Sequence, residues 1–223
     1  MADGDKFLEI VASLLNKLVN RVRRLKLEDD DFWVVNKNMA KQLENIPLKA
    51  ADVSNLVLQY CPQAYPFEIR ARVFKLVIEK TKEENGGNAF ADYGPQIEIN
   101  RGSILDDAIA NLYQKNFNMQ KNMRITFIDE EGMPEDGIDG GGLLKEFMTK
   151  LTAEIFDVNR AYWSETEGDR MLYPNAQIKH IDADWMHSFN FFGQVVGKAL
   201  YESVLLKCNL APFFLNIIVG KSN

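Results

Sequence analysis

The chain has 223 residues, of which 46% are hydrophobic and 26% charged, and this composition is that of a globular protein rather than a disordered one. Its formal net charge of -6 argues against a nucleic-acid-binding role. Two cysteines, Cys61 and Cys208, exclude a disulfide framework or a Cys-rich zinc module. The first residues lack a secretory layout, and no apolar run reaches the ~20 residues of a membrane span. We therefore expect a soluble protein with no membrane partner, located in the cytoplasm, with the nucleus as an additional location.

The N-terminal part of the chain is predicted to be helical. Apolar residues recur at helical spacing over residues 5–27, which indicates an amphipathic helix with one apolar face. The other face carries Lys17, Arg21 and Arg24, which could form a nucleic-acid or membrane patch. Acidic residues follow directly at 28–31, so we interpret this basic face as solvated. Shorter helices are predicted at 39–44 and 52–60.

The middle of the chain is predicted to alternate helices with short strands. Pro66 suits the first turn of a helix over 66–85, for which we predict a buried stripe. The residues of that stripe are Phe67, Val73, Phe74, Val77 and Ile78. Alternation at 96–101 and 123–129 predicts two strands, and between them Ser103 and Asp106 suggest a capping box at the start of a helix.

The C-terminal half begins with a turn rich in acids and glycines. Asp139 is predicted to cap a helix over 143–156, and a loop with a short strand near 171–173 follows. A long helix is predicted from Asp182 or Asp184 to about Lys207, and a last apolar helix lies in 211–220. The predicted fold class is therefore mostly α with a few short β-strands, an α+β fold.

The sequence does not build an active site from its residues alone. A phosphate-binding loop would need Lys and Ser or Thr after Gly142, where Leu143 and Leu144 stand. Dinucleotide-binding and EF-hand patterns fail in the same turn, so we interpret its glycines as conformational. His180 and His187 are seven residues apart, and no nearby acid or cysteine completes a metal-binding set with them. We expect no catalytic, cofactor-binding or metal-binding residue in this chain.

Several segments together carry a resemblance to a known family. Residues 127–147, FIDEEGMPEDGIDGGGLLKEF, resemble the strand, acidic turn, D-x-G-G and E-F helix of HECT domains. Lys145 stands where the family usually has arginine, which keeps the charge and loses the planar fork. LYPN at 172–175, FNFFGQVVGKALYESVLL at 189–206 and the APFFLNIIVGK ending are similar too. The resemblance covers about 66–221 and is nearest to the E-three-C-like subgroup.

This resemblance implies a HECT N-lobe, incomplete, at 66–223, preceded by a helical extension at 1–65. HECT-type ligases accept ubiquitin from a conjugating enzyme as a cysteine thioester and transfer it to substrate lysines. The family's cysteine lies in a Thr-Cys segment, and this chain has no such pair. The resemblance thus implies a transferase by family, with ubiquitin, a conjugating enzyme and protein substrates as partners, and a chain that is inactive alone. The alternative is a non-catalytic interaction module derived from a ligase N-lobe.

Tyr162 and Trp163 stand together in the polar segment NRAYWSETEG. Paired aromatic residues in a polar setting can mark a binding surface, and N-lobes of the family hold a ubiquitin-binding patch. We therefore predict that Tyr162 and Trp163 bind ubiquitin. The alternative is that one or both fill the local core, because aromatic side chains are often buried.

Overall fold

The structure, a computed structural model, describes residues 3–25, 27, 30–34, 61–85, 96–135 and 142–220. The chain divides into two compact units, residues 1–85 and 86–223. This division does not test the predicted domain boundary at residue 65, which stays a prediction. The helices predicted at 39–44 and 52–60, and the helix cap Asp139, lie outside the described residues. Within the described ranges, no helix combines the length and the apolar character needed to cross a bilayer.

Two helices dominate the described part of the first unit. Helix α1 is Asp3–Leu25 and helix α2 is Phe67–Asn85, which confirms both predicted helices. Ala12 and Val19 of α1 are buried, and Asn16 Oδ1 accepts a hydrogen bond of 2.8 Å from Gln63 Nε2. These contacts fix one face of α1 on its own unit.

The predicted buried stripe of α2 is wrong in three of its five residues. Phe67, Phe74 and Val77 are exposed, while Val73 and Ile78 are half-buried. The most buried residue is Ile69, and the inward face continues through Val73 and Leu76 at i+4 and i+7. Apolar residues lie on both faces of α2, so helical spacing alone does not show which face is buried. Contacts with the rest of the unit determine it.

The second unit begins with a parallel pair of strands. Strand β1 is Gln96–Asn100 and strand β2 is Arg124–Ile128, with Gln96 opposite Arg124. Helix α3, Ile104–Ala108, continues into a π-helical turn at Ile109–Tyr113 and supplies the crossover that a parallel pair requires. The alternating residues of both strands are buried, as predicted: Ile97, Ile99, Ile125 and Phe127.

The predicted capping box at α3 is wrong. Ser103 precedes the helix, but its side chain makes no capping hydrogen bond. The neighbouring Asp107 accepts hydrogen bonds of 2.7 Å from both the backbone N–H and the side-chain amide of Asn100. This carboxylate therefore fixes the turn between β1 and α3 by bonding back to the strand.

The core of the second unit is formed by two long helices packed on the strands. Helix α4 is Gly142–Ile155 and helix α5 is Trp185–Tyr201. Their inward side chains are among the most buried of the described residues: Phe147, Met148, Leu151, Ile155, Phe191, Val195 and Ala199. The apolar residues Phe147, Met148, Leu151 and Ile155 lie at helical spacing on the inward face of α4, and Leu144 on the same face is half-buried.

Helix α5 ends six residues earlier than predicted. Ser203 adopts a left-handed conformation with φ 56°, and its N–H donates to Leu200 O at 3.2 Å. The N–H of Val204 donates to Ala199 O at 2.8 Å, which completes a Schellman motif. Glycine usually occupies this position, so a serine there gave no stop signal in the sequence.

An antiparallel pair and a short helix complete the second unit. Strand β3, Trp163–Glu165, pairs with strand β4, Leu172–Pro174, and helix α6 is Pro212–Ile218. Strand β4 and α6 were predicted, whereas β3 lies in a segment predicted as loop. The described fold is mostly helical with short strands, which confirms the predicted fold class.

Candidate functional site

An apolar groove of about 610 Å³ lies between the β3–β4 region and helices α5 and α6. Its walls are mainly aromatic and include Trp163, Trp185, Phe189, Phe192 and Phe214. Large apolar grooves are the usual places where small ligands or partner side chains are held. The groove is therefore a candidate binding site formed by described residues of the second unit.

The groove was not predicted from the sequence. Its signal is the stripe Trp185, Phe189 and Val196 on α5, at i, i+4 and i+11. That spacing predicts an apolar face and cannot distinguish the wall of a groove from a closed core. Gly193 and Gly197 on the same helix are exposed, and a Cβ added at either would have nothing within 4 Å. These glycines therefore do not mark a close contact between α5 and another described segment of the backbone.

Trp163, one of the two predicted ubiquitin-binding residues, is a core side chain. It is 6% exposed, its Nε1 donates a hydrogen bond of 2.7 Å to Ile155 O, and its ring packs on Phe156 at a centroid distance of 5.0 Å. A buried indole with a satisfied N–H contributes to packing. For Trp163 the structure therefore matches the alternative interpretation, in which the ring fills the local core.

Tyr162, the other predicted residue, is half-buried and points toward a carboxylate. Its hydroxyl donates to Asp182 Oδ2 at 2.9 Å and lies 3.3 Å from Ser188 Oγ. Desolvation raises the pKa of the Tyr162 hydroxyl. Burial alone would raise the pKa of Asp182, but hydrogen bonds from the backbone N–H of Asp184 and from the Tyr162 and Ser188 hydroxyls lower it.

The Tyr162 ring connects this polar cluster to the groove. It packs edge-on against Phe189 and Phe192, at centroid distances of 6.0 and 5.0 Å, and both of these residues line the groove. The two neighbouring aromatic residues thus have different roles, because Trp163 is a core side chain that also lines the groove, whereas Tyr162 packs against two of the other wall residues. The predicted binding of ubiquitin by this pair stays a prediction.

Glu135 and Glu146, which flank the acidic and glycine-rich turn in the sequence, belong to a charged cluster centred on Arg101. Arg101 donates hydrogen bonds to Glu135, at 2.6 Å for the Nη2 contact, and to Glu146 at 2.7 Å. Its guanidinium also stacks 4.1 Å from the centroid of the Phe127 ring. Hydrogen bonds from Arg101 lower the pKa values of both carboxyl groups. This cluster is structural, since its charges are paired and no cavity adjoins them among those described.

The two cysteines lack an activating environment. Burial raises the pKa of the Cys61 thiol and of the Cys208 thiol. Cys208 is half-buried and packs against the apolar core of the second unit. A nucleophilic cysteine needs the opposite, a lowered pKa next to a cation or a helix N-terminus. Neither thiol therefore has the character of a catalytic nucleophile.

The histidines lie in different elements. His180 ends a short 3-10 helix, whereas His187 lies in α5, 3.8 Å from the carboxylate of Asp184. Across the part of the chain that the structure describes, no three His, Cys, Asp or Glu residues are placed to hold a metal ion. The arrangement of the described residues thus offers binding surfaces and no assembled reaction centre.

Comparisons with known proteins agree with the resemblance in the sequence. The HECT-domain (ubiquitin-transferase) family matches residues 149–223. The chain is 32% identical over 219 residues to the human ubiquitin-protein ligase E3B, covering 96% of this chain and 20% of the relative. It is 33% identical over 171 residues to the Arabidopsis thaliana E3 ubiquitin-protein ligase UPL6, covering 76% of this chain and 16% of the relative.

A third relative extends the comparison to fungi. The E3 ubiquitin-protein ligase HUL5 of Saccharomyces cerevisiae is 32% identical over 227 residues, covering 90% of this chain and 24% of the relative. The chain therefore spans about a quarter or less of the length of these relatives. The match at 149–223 contains the groove-forming helices α5 and α6. Together these findings show that the chain belongs to the HECT family and is similar to part of a HECT-type ubiquitin-protein ligase.

Proposed function

We propose that the chain is part of a ubiquitin-protein ligase that accepts ubiquitin from a conjugating enzyme as a cysteine thioester and transfers it to substrate lysines. Membership of the HECT family supports this proposal. Covalent catalysis by a thiolate divides one acyl transfer into two easier steps. Ubiquitin, a conjugating enzyme and protein substrates are the partners that this chemistry requires. We propose the cytoplasm as its location, with the nucleus as an additional one.

Within such a ligase, we propose that these 223 residues supply a scaffold and binding surfaces, and that they do not supply the nucleophile. The observation that carries this proposal is the state of Cys61 and Cys208, whose thiol pKa values are raised by burial. At neutral pH a raised pKa leaves less thiolate to attack the thioester of a charged conjugating enzyme. These two are the cysteines of the chain.

The test is a thioester assay on the 223-residue chain. It is incubated with activating enzyme, several conjugating enzymes, ubiquitin and ATP, and the products are separated on a non-reducing gel. We expect uncharged chain in every lane, beside a complete HECT ligase that forms the adduct. A reductant-sensitive ubiquitin adduct that Cys208→Ser or Cys61→Ser abolishes would contradict the proposal.

The apolar groove favours a second candidate function, a non-catalytic interaction module. The groove has a volume of about 610 Å³, and its aromatic walls suit apolar side chains of a protein partner. Ubiquitin is one partner to test, because Tyr162 packs on two residues of the groove wall. Binding of ubiquitin in a titration, without any thioester in the gel assay, would favour this module over a catalytic role.

A further inference from the structure

Helix α1 carries an exposed stripe of large apolar residues. Phe7, Val11, Leu14, Leu18 and Leu25 are 66%, 44%, 60%, 48% and 56% exposed. Another face of the helix carries the buried Ala12 and Val19 and the Asn16–Gln63 hydrogen bond. The unit thus holds α1 by one face and leaves a row of large apolar side chains uncovered on the other. Monomeric proteins rarely expose such a row without a partner.

The spacing of the stripe indicates what kind of surface covers it. From Phe7 to Leu18 the steps are four, three and four residues, with the exposed Ile10 beside this series. The same spacing reaches Leu25 through Arg21, a charged residue at the border between the apolar and basic faces. A repeat that averages 3.5 residues is the seam of a coiled coil, which packs lengthwise against another helix. The stripe is therefore suited to a second helix rather than to a compact pocket.

The charges along α1 point to the identity of that second helix. Residues 3–9 contain Asp3, Asp5, Glu9 and Lys6, so their net charge is 1 - 3 = -2. Residues 17–25 contain four cations and no acid, with a net charge of +4. A parallel copy would bring the two basic ends together, whereas an antiparallel copy would bring each basic end to an acidic one. A uniformly anionic lipid surface would attract one end of the helix and repel the other.

We propose that the α1 stripe pairs with the α1 stripe of a second copy of this chain, in an antiparallel two-helix seam. The four-three-four spacing from Phe7 to Leu18 is the same in both directions, so reversal about the midpoint of Val11 and Leu14 places these four apolar residues opposite one another, while Leu25 lies beyond the paired segment. Phe7 of each copy lies opposite Leu18 of the other, and Val11 lies opposite Leu14. In this register Arg21 lies opposite Gly4, between Asp3 and Asp5. The seam has the two-fold symmetry usual for dimers.

The first test is the oligomeric state of the 223-residue chain, measured by sedimentation over about 1–100 μM. We expect a concentration-dependent monomer–dimer equilibrium, weakened about tenfold or more by Leu14→Glu, because each seam buries this residue twice. The matched control is Ile217→Glu on α6, where the replaced side chain is 64% exposed and the equilibrium should not change. Circular dichroism checks that both variants keep their helices.

The second test reads the direction of the seam. In a Cys61→Ser, Cys208→Ser background, we expect Val11→Cys and Leu14→Cys chains to cross-link with each other faster than either does with itself. Arg21→Glu should weaken the dimer, and adding Asp3→Lys and Asp5→Lys should restore it.

Four results would overturn the proposal. They are a monomer at every concentration, a dimer that Leu14→Glu leaves unchanged, fastest cross-linking of Val11→Cys with itself, and a monomer that is pelleted by phosphatidylserine vesicles instead of self-associating.

Discussion

Arg101 Nη1 lies 2.7 Å from Glu146 Oε1, and the same guanidinium binds Glu135 through Nε and Nη2. Glu135 directly precedes residues 136–141 and Glu146 follows in the first turns of α4, so one arginine links the two sides of the glycine-rich turn. Lys150 adds a contact of 3.2 Å to Glu146. Binding two carboxylates at once requires the several N–H donors of a planar arginine guanidinium.

We expect Arg101→Gln to lower the urea midpoint of unfolding, because two carboxylates lose a charge-assisted partner. Tryptophan fluorescence during urea unfolding measures the change. The matched control is Arg170→Gln, which removes an exposed ion pair of 3.0 Å with Glu165 and should leave the midpoint nearly unchanged. Equal midpoints for the two variants would show that the Arg101 cluster does not stabilise the fold.

The same cluster predicts a pH dependence. Arg101 lowers the pKa values of Glu135 and Glu146 in the folded chain. Depressed carboxyl pKa values stabilise the fold above the unfolded values, about 4.3, and this contribution is lost as the pH falls through the lowered folded values. Unfolding measured from about pH 6 downward should therefore lose stability more steeply for the parent than for Arg101→Gln. Parallel curves would contradict the assignment.

The buried Lys198 gives an asymmetric prediction. Its side chain is 0% exposed, and its ammonium group lies 2.7 Å from Glu202 Oε1 and donates to Lys121 O at 3.0 Å. Glu202→Ala removes the carboxylate that lies 2.7 Å from this buried ammonium group, and we expect a loss of about 3–5 kcal/mol in the free energy of unfolding. Lys198→Met removes the cation and fills the same space, so it should cost much less. Chemical denaturation of both variants checks the order, and the reverse order would contradict it.

Tyr162 and Trp163 should respond differently to substitution. Trp163→Ala opens a cavity in the core and should cost about 3–5 kcal/mol of stability. Tyr162→Phe keeps the ring and removes a hydrogen bond to a carboxylate, which should cost about 1.5–3 kcal/mol. Thermal unfolding of the two variants measures both effects, and a Trp163→Ala variant as stable as the parent would exclude the core assignment.

The predicted binding of ubiquitin by Tyr162 and Trp163 can be tested first at Tyr162, the less buried of the two. We expect Tyr162→Ala, if folded, to reduce the chemical-shift changes of labelled ubiquitin in a titration, while Arg170→Gln, at a side chain that is 74% exposed and does not line the groove, leaves them unchanged. Identical shift changes with Tyr162→Ala and the parent, or none with either, would end this hypothesis.

Both thiols should be slow to react. Their pKa values are raised by burial, so a smaller thiolate fraction is present at a given pH and alkylation should move to higher pH. The rate of iodoacetamide labelling against pH measures this, with Ala153→Cys, an exposed site on α4, in a background without the native cysteines as control. Faster labelling of Cys61 or Cys208 than of that control would contradict the burial argument.

The sequence predicted most elements of the second unit, because local pattern and packing agree there. Alternation at Ile97 and Ile99 marks β1, and the spacing of Phe147, Leu151 and Ile155 marks the inner face of α4. The end of α5 was predicted too late because its left-handed residue is Ser203 rather than glycine. The local sequence pattern does not show that a serine occupies the position that glycine usually takes in a Schellman motif.

The candidate site was predicted only in part, for a related reason. Tyr162 and Trp163 are neighbours in the sequence, but Ile155, Asp182 and the groove walls decide which of them is buried. Those partners come from other elements, so a local pattern cannot separate a core ring from a surface one. The groove likewise exists only because β4, α5 and α6 converge.

The parallel pairing of β1 and β2 also constrains the order in which the second unit can fold. Neither strand can form its ladder from neighbouring residues, since Gln96 pairs with Arg124 across a complete helical crossover. Closing that loop costs chain entropy before any inter-strand hydrogen bond is gained. Forming the helix and the π-helical turn at Ile104–Tyr113 shortens the span that must close, so we expect this crossover to form no later than the strand pair.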